Sequence, residues 1–81
     1  MKYNGHKNWN HWNVSLWLNN DENLYRAMLS WIRGAGNKRR AAKAFHYALT
    51  SGNYGKPILK TPDGAPYSVS SIRAAMNGIE A

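Results

Sequence analysis

Arg26, Arg33, Lys38, Arg39, Arg40, Lys43, Lys56 and Lys60 lie in a stretch between Glu22 and Asp63 that holds no acidic side chain. Cations without carboxylate neighbours can neutralise phosphates, each contact releasing condensed counterions, or they can meet an acidic protein surface. This stretch supplies most of the +7 net charge. Like charge gathered on a small domain costs stability through self-repulsion, so a polyanionic partner accounts for it better than the fold does. Lys38, Arg39 and Arg40 sharpen the point, because cations at a helix start oppose the macrodipole at about a few tenths of a kcal/mol each. Arg39 and Lys43 share a helix face four residues apart and repel mildly. The competing reading is an ordinary solvated face.

A second group is Ser70, Arg73 and Asn77, spaced to share one side of a helix beside the small Ala74. Arg can bond a guanine edge through two donors, Asn can pair with adenine, and Ser can touch base or phosphate. A polar outer face, which any amphipathic helix has, is the alternative here too. The two groups together, a basic helix followed by a turn and a further helix, are the parts of a nucleic-acid reader.

Other chemistry is poorly supplied. Asp21 and Glu22 read as helix-start residues and Asp63 as a turn residue, so no pair of carboxylates is placed for acid–base work. His6, His11 and His46 have no sulfur or acidic ligand to support a metal, and cysteine is absent. Neither a Ser-His-Asp arrangement nor a phosphate-cradling glycine loop is evident. The expectation is a non-enzymatic protein with no cofactor and no metal.

The elements that must position these groups read as follows. Residues 1–8 are polar and irregular. Residues 10–18 fit a helical stripe (Trp9, Trp12, Leu16) and also strand alternation (Trp12, Val14, Leu16, Leu18), which periodicity does not separate. Helix is favoured, with Asn10 as its cap and a turn at Asn19-Asn20. Asp21 starts a second helix whose stripe is Leu24, Met28, Trp31 and Ile32, ended by Gly34 and Gly36. A third runs from Asn37 to Thr50, with Ala41, Phe45, Ala48 and Leu49 inward and Gly52 closing it. Residues 53–67 hold Pro57, Pro62-Asp63-Gly64 and Pro66, which predicts a short β-hairpin wing. Ser68 caps a last helix over 69–77, with Val69, Ile72, Ala75 and Met76 inward.

Eighty-one residues make a single domain, 1–81, that buries roughly 60–65% of its unfolded surface. Four tryptophans and five tyrosines offset the short length, since each ring buries about 150–250 Å². Trp12, Trp17 and Trp31 are read as core, which concentrates the core in the N-terminal half. Tyr3, Trp9 and Tyr54 are candidates for an exposed aromatic contact with a protein partner. No apolar run approaches the ~18–20 residues that cross a bilayer, and Met1 to Asn8 lacks a secretion signal. A cytoplasmic setting and no membrane partner are expected.

Residues 41–76 resemble the helix–hairpin–helix element in the DNA-binding region of large serine recombinases. The likeness is carried by Ala42, Phe45 and Leu49, then Gly52, Thr61-Pro62-Asp63-Gly64, Tyr67-Ser68 and Ile72-Arg73. It implies that Ser70, Ser71, Arg73, Ala74 and Asn77 are the exposed residues nearest bases. The nucleophilic domain of that family is absent, so no strand cleavage is implied. The stretch from Asn8 to Tyr25 is similar to a pattern in short accessory proteins of bacteriophages and plasmids. That resemblance implies a bacterial cytoplasm, and either regulation or disabling of host systems.

Fold and function expectations follow. The fold is mainly α, a three- to four-helix bundle with a hairpin wing and a helix-turn-helix-like C-terminal half. Lys38, Arg39, Arg40, Lys43, Lys56 and Lys60 would hold a nucleic-acid backbone, duplex DNA being favoured, while Ser70, Arg73 and Asn77 face a groove. The alternative is a counter-defence inhibitor, such as an anti-CRISPR or antirestriction protein, on an acidic host protein or nucleoprotein surface. A homodimer is open, as DNA readers often match palindromes.

Overall fold

The computed structural model describes residues 5–79. Four helices follow one another: α1 (Trp9–Asn20), α2 (Glu22–Ala35), α3 (Lys38–Thr50) and α4 (Val69–Met76). Their main contacts close a ring, α1 on α2, α2 on α3, α3 on α4 and α4 back on α1. The all-α class is as expected.

Short polar side chains set the helix starts. Asn8, Asp21, Asn37 and Ser68 each accept a hydrogen bond from a free amide in the first turn, satisfying one of the orphan donors there. Ser68 and Ser71 cap reciprocally. The cap of α1 is therefore Asn8 rather than Asn10, because Asn8 is the extended residue whose Oδ1 reaches the His11 amide at 3.0 Å. The expected turn at Asn19-Asn20 is absent. Asp21 makes it unnecessary: its amide donates to Trp17 O at 3.0 Å, and its Oδ1 accepts from Leu24 N at 3.1 Å. One residue thus finishes α1 and starts α2. Gly34 continues α2, and the stop falls at Gly36, whose φ of 86° is left-handed.

The core is made of Val14 and Leu18, Met28 and Ile32, Ala41, Phe45 and Leu49, Ile72, Ala75 and Met76, with Ala65 and Tyr67 from the connection. It is spread over all four helices, not concentrated in the N-terminal half. Burial, and then the charge of Asp21, pushes the Tyr67 phenol up to about 12. None of the four tryptophans is buried. Trp9 is exposed, while Trp12, Trp17 and Trp31 straddle the boundary, since an indole carries a donor that wants a partner. The inward stripe of α1 is Val14 and Leu18, with Asn13 beside them, rather than Trp9, Trp12 and Leu16.

The predicted wing is not a β-hairpin. Residues 53–67 contain one isolated antiparallel bridge, Lys60 with Pro66, framed by Thr61 N donating to Ala65 O and Tyr67 N to Leu59 O at 2.8 and 2.9 Å. Pro66 needs no amide at that position. Prolines on either side of the turn limit any longer ladder. Residues 51–68 also exceed the three- to four-residue turn of a helix-turn-helix, so α3 and α4 are neighbours without forming that motif.

What holds this connection down is polar. Asn13, buried in α1, accepts from Thr61 Oγ1 at 2.6 Å and donates Nδ2–H to Asp63 Oδ2 at 2.8 Å. Trp17 Nε1–H donates to the same carboxylate oxygen at 2.9 Å. Asp63 is therefore a tether onto α1 as well as a turn residue. These bonds hold its carboxyl below the ordinary 3.8. A depressed folded-state value means stability that is full above 3.8 and lost as pH falls through the folded value. In thermal melts between pH 5 and 2, wild type is expected to lose more stability than Asp63→Asn, with a change in Trp17 emission. Parallel loss in both proteins would remove Asp63 from the account.

Candidate functional site

A groove of about 740 Å³ lies where the N-terminal segment, α1, α3 and α4 meet. Arg39 and Lys43 from α3 line it together with Ser70, Arg73 and Asn77 from α4. All five side chains are exposed. The two groups singled out separately in the sequence therefore share one concavity. Ala74 lies on the same surface, where its small side chain permits close approach.

His11 of α1, Arg39 of α3, and Val69 and Ser70 of α4 all line this groove, and each belongs to the first turn of its helix. Three helix starts thus border one concavity. Each carries about half a positive charge from the macrodipole, and such ends attract anions. Lys7 adds a further cation, and among the described residues no carboxylate lines the groove. The His11 ring senses this surrounding: burial first, then the charges of Lys7 and His6, holds its pKa below 6.5. Its Nε2 sits 3.0 Å from Ser70 Oγ, joining α1 to α4 across the groove.

Among the described residues the ion pair is Arg26 with Glu22, one turn apart in α2. Arg39, Lys43 and Arg73 have no carboxylate partner there.

The other expected contacts divide. Arg40 lines a different groove, between α2 and α3, and Lys43 stands between the two, lining both. Lys38, Lys56 and Lys60 line neither. Ser71 is buried, because its hydroxyl completes the Ser68 capping box, so it does not join the exposed face implied by the recombinase resemblance. Trp9 is exposed in the first turn of α1, while the Tyr54 hydroxyl accepts from Trp31 Nε1 at 2.9 Å. Tyr3 lies outside the described residues. Sequence reasoning missed Lys7, His6 and His11. An earlier start for α1, signalled by Asn8 three residues before His11, would have found His11.

Among the described residues no group of three or more His, Cys, Asp or Glu is placed to hold a metal. No helix there is long and apolar enough to cross a membrane.

The fold and the groove define a small four-helix protein with a cationic concavity that three helix starts border and that no carboxylate among the described residues neutralises. The chain belongs to a family of unknown function, DUF7249, whose profile matches residues 1–81. Comparison with curated proteins and with solved structures gave no match.

Proposed function

We propose that this protein binds nucleic acid, duplex DNA being favoured, without catalysing a reaction. The observation that carries the reading is one groove lined by first-turn residues of three helices and by the cations Arg39, Lys43, Arg73 and Lys7, with no carboxylate among the described residues that line it. Backbone phosphates occupy the cationic part and fix register. Arg73, Asn77 and Ser70 approach base edges, where a guanidinium and an amide can each make two bonds. Lys56 and Lys60 act, if at all, as distant charges rather than as contacts in this groove. The bacterial cytoplasm is the setting we propose with it, from the likeness of residues 8–25 to phage and plasmid accessory proteins.

Three phosphate contacts, at Arg39, Lys43 and Lys7, give a slope of about −2.7 in log K against log salt. Fluorescence anisotropy with a labelled duplex is therefore expected to show affinity falling about 40-fold between 50 and 200 mM salt. Absence of binding at 50 mM, or a slope near zero, would end this reading.

A further inference from the structure

The groove between α2 and α3 differs in character from the first. Gly34 and Ala44 form a small, apolar floor, Trp31 and Tyr47 form the walls, and Arg40 and Lys43 stand at the rim. Its volume, about 680 Å³, falls in the range of sites that enclose a bound group. Tyr47 is 71% exposed, the most of any large apolar residue in the described chain. Trp31 is held in place: its Nε1–H donates to Tyr54, whose ring meets core residue Phe45 edge-on at 6.2 Å. The wall is thus fixed to the core before any partner arrives, which lowers the ordering cost of binding.

Trp, Tyr and Arg are the side chains that dominate binding energy at protein interfaces, set around an apolar centre. Arg40 and Lys43 have no carboxylate partner among the described residues. The apolar floor asks for an aliphatic or aromatic side chain, and the rim asks for carboxylates beside it. A second copy of this chain answers poorly. It brings another +7 of charge, and the acids among the described residues are engaged: Asp21 caps α2, Glu22 pairs with Arg26, and Asp63 holds Asn13 and Trp17.

We propose that the α2–α3 groove docks an acidic protein segment, its apolar side chain seated between Trp31 and Tyr47 and its carboxylates on Arg40 and Lys43. The two grooves share only Lys43, so this surface stands or falls apart from the nucleic-acid reading.

Gly34 gives a clean test. A Cβ built there meets nothing within 4 Å, so Gly34→Leu adds apolar bulk to the groove lining from a position open at Cβ and improves helix propensity. A random displayed-peptide library is selected on the immobilised wild-type protein, and enriched peptides are measured by anisotropy. Enriched sequences are expected to pair an aromatic or branched aliphatic residue with flanking Asp or Glu. Gly34→Leu and Arg40→Glu should each weaken them about ten- to thirty-fold, the size of a hot-spot loss, while circular dichroism shows both variants folded. No enrichment, enrichment of neutral or basic sequences, or affinity retained by both variants would overturn the proposal. So would a wild-type dimer in sedimentation that Gly34→Leu dissolves, or a single-stranded oligonucleotide whose affinity Gly34→Leu reduces.

Discussion

Replacing Arg39, Lys43 and Lys7 together by alanine is expected to weaken duplex binding about 500-fold at 0.1 M salt and to flatten the salt slope by about 2.7. The two numbers have one origin. Each lost phosphate contact removes about 0.9 from the slope, which is about 0.9 decade of affinity at 0.1 M relative to 1 M. Three contacts come to about 3.7 kcal/mol. The fold should survive, because all three side chains are exposed and none has a carboxylate partner among the described residues. Removing Arg39 from the first turn of α3 even relieves an opposed helix dipole. Anisotropy across a salt series reads both quantities. A loss of affinity with an unchanged slope would mean that the groove contributes shape and not charge. Lys56→Ala with Lys60→Ala, by contrast, should change the slope little, because neither residue lines the groove.

Asn13→Ala is expected to cost about 2–3 kcal/mol of folding stability, from the lost Thr61 bond and the desolvated hydroxyl left behind. The bond to Asp63 is part-buried, with an exposed carboxylate at its far end, and its loss comes on top of that figure. A chain of 81 residues has about 4–12 kcal/mol in total at the usual 0.05–0.15 kcal/mol per residue, so the change is a large share. Thr61 Oγ1 also accepts from Ala65 N at 3.0 Å, so the turn that leads to α4 should loosen with it. Urea unfolding followed by circular dichroism measures the cost. Asn13→Asp is a useful companion, since it keeps the acceptor for Thr61 but sets a carboxylate against Asp63. It should destabilise at neutral pH and recover in part as acid protonates either group. Stability within a few tenths of a kcal/mol of wild type for Asn13→Ala would show that the connection is held by packing alone.

The helix starts were legible because their chemistry is local. Asp21, Asn37 and Ser68 each satisfy an amide three residues away, and that spacing is visible in a linear string. The inward faces of α3 and α4 were legible for the same reason: Phe45 with Leu49, and Ile72 with Met76, recur at one turn. The tryptophans misled because size and apolarity were read as burial. An indole with its donor is well served at a boundary, as Trp17 is by Asp63 and Trp31 by Tyr54. The role of Asn13 was not legible, since its partners Thr61 and Asp63 lie 48 and 50 residues along the chain. The site was half legible. Residue types marked Arg39, Lys43, Ser70, Arg73 and Asn77, but only the closure of the helix ring puts them together and adds Lys7 and His11. The same closure sends Arg40 and Tyr47 to the other flank of α3, a separation that charge counting does not reveal.

Amide and side-chain shift mapping of the isotope-labelled protein during titration with a short duplex tests the central claim most directly. The account predicts the largest shifts at Arg39, Lys43, His11, Ser70, Arg73 and Asn77, with Lys56 and Lys60 little changed. Shifts centred on the 53–60 segment or on Trp31 and Tyr47, with those six residues still, would contradict it.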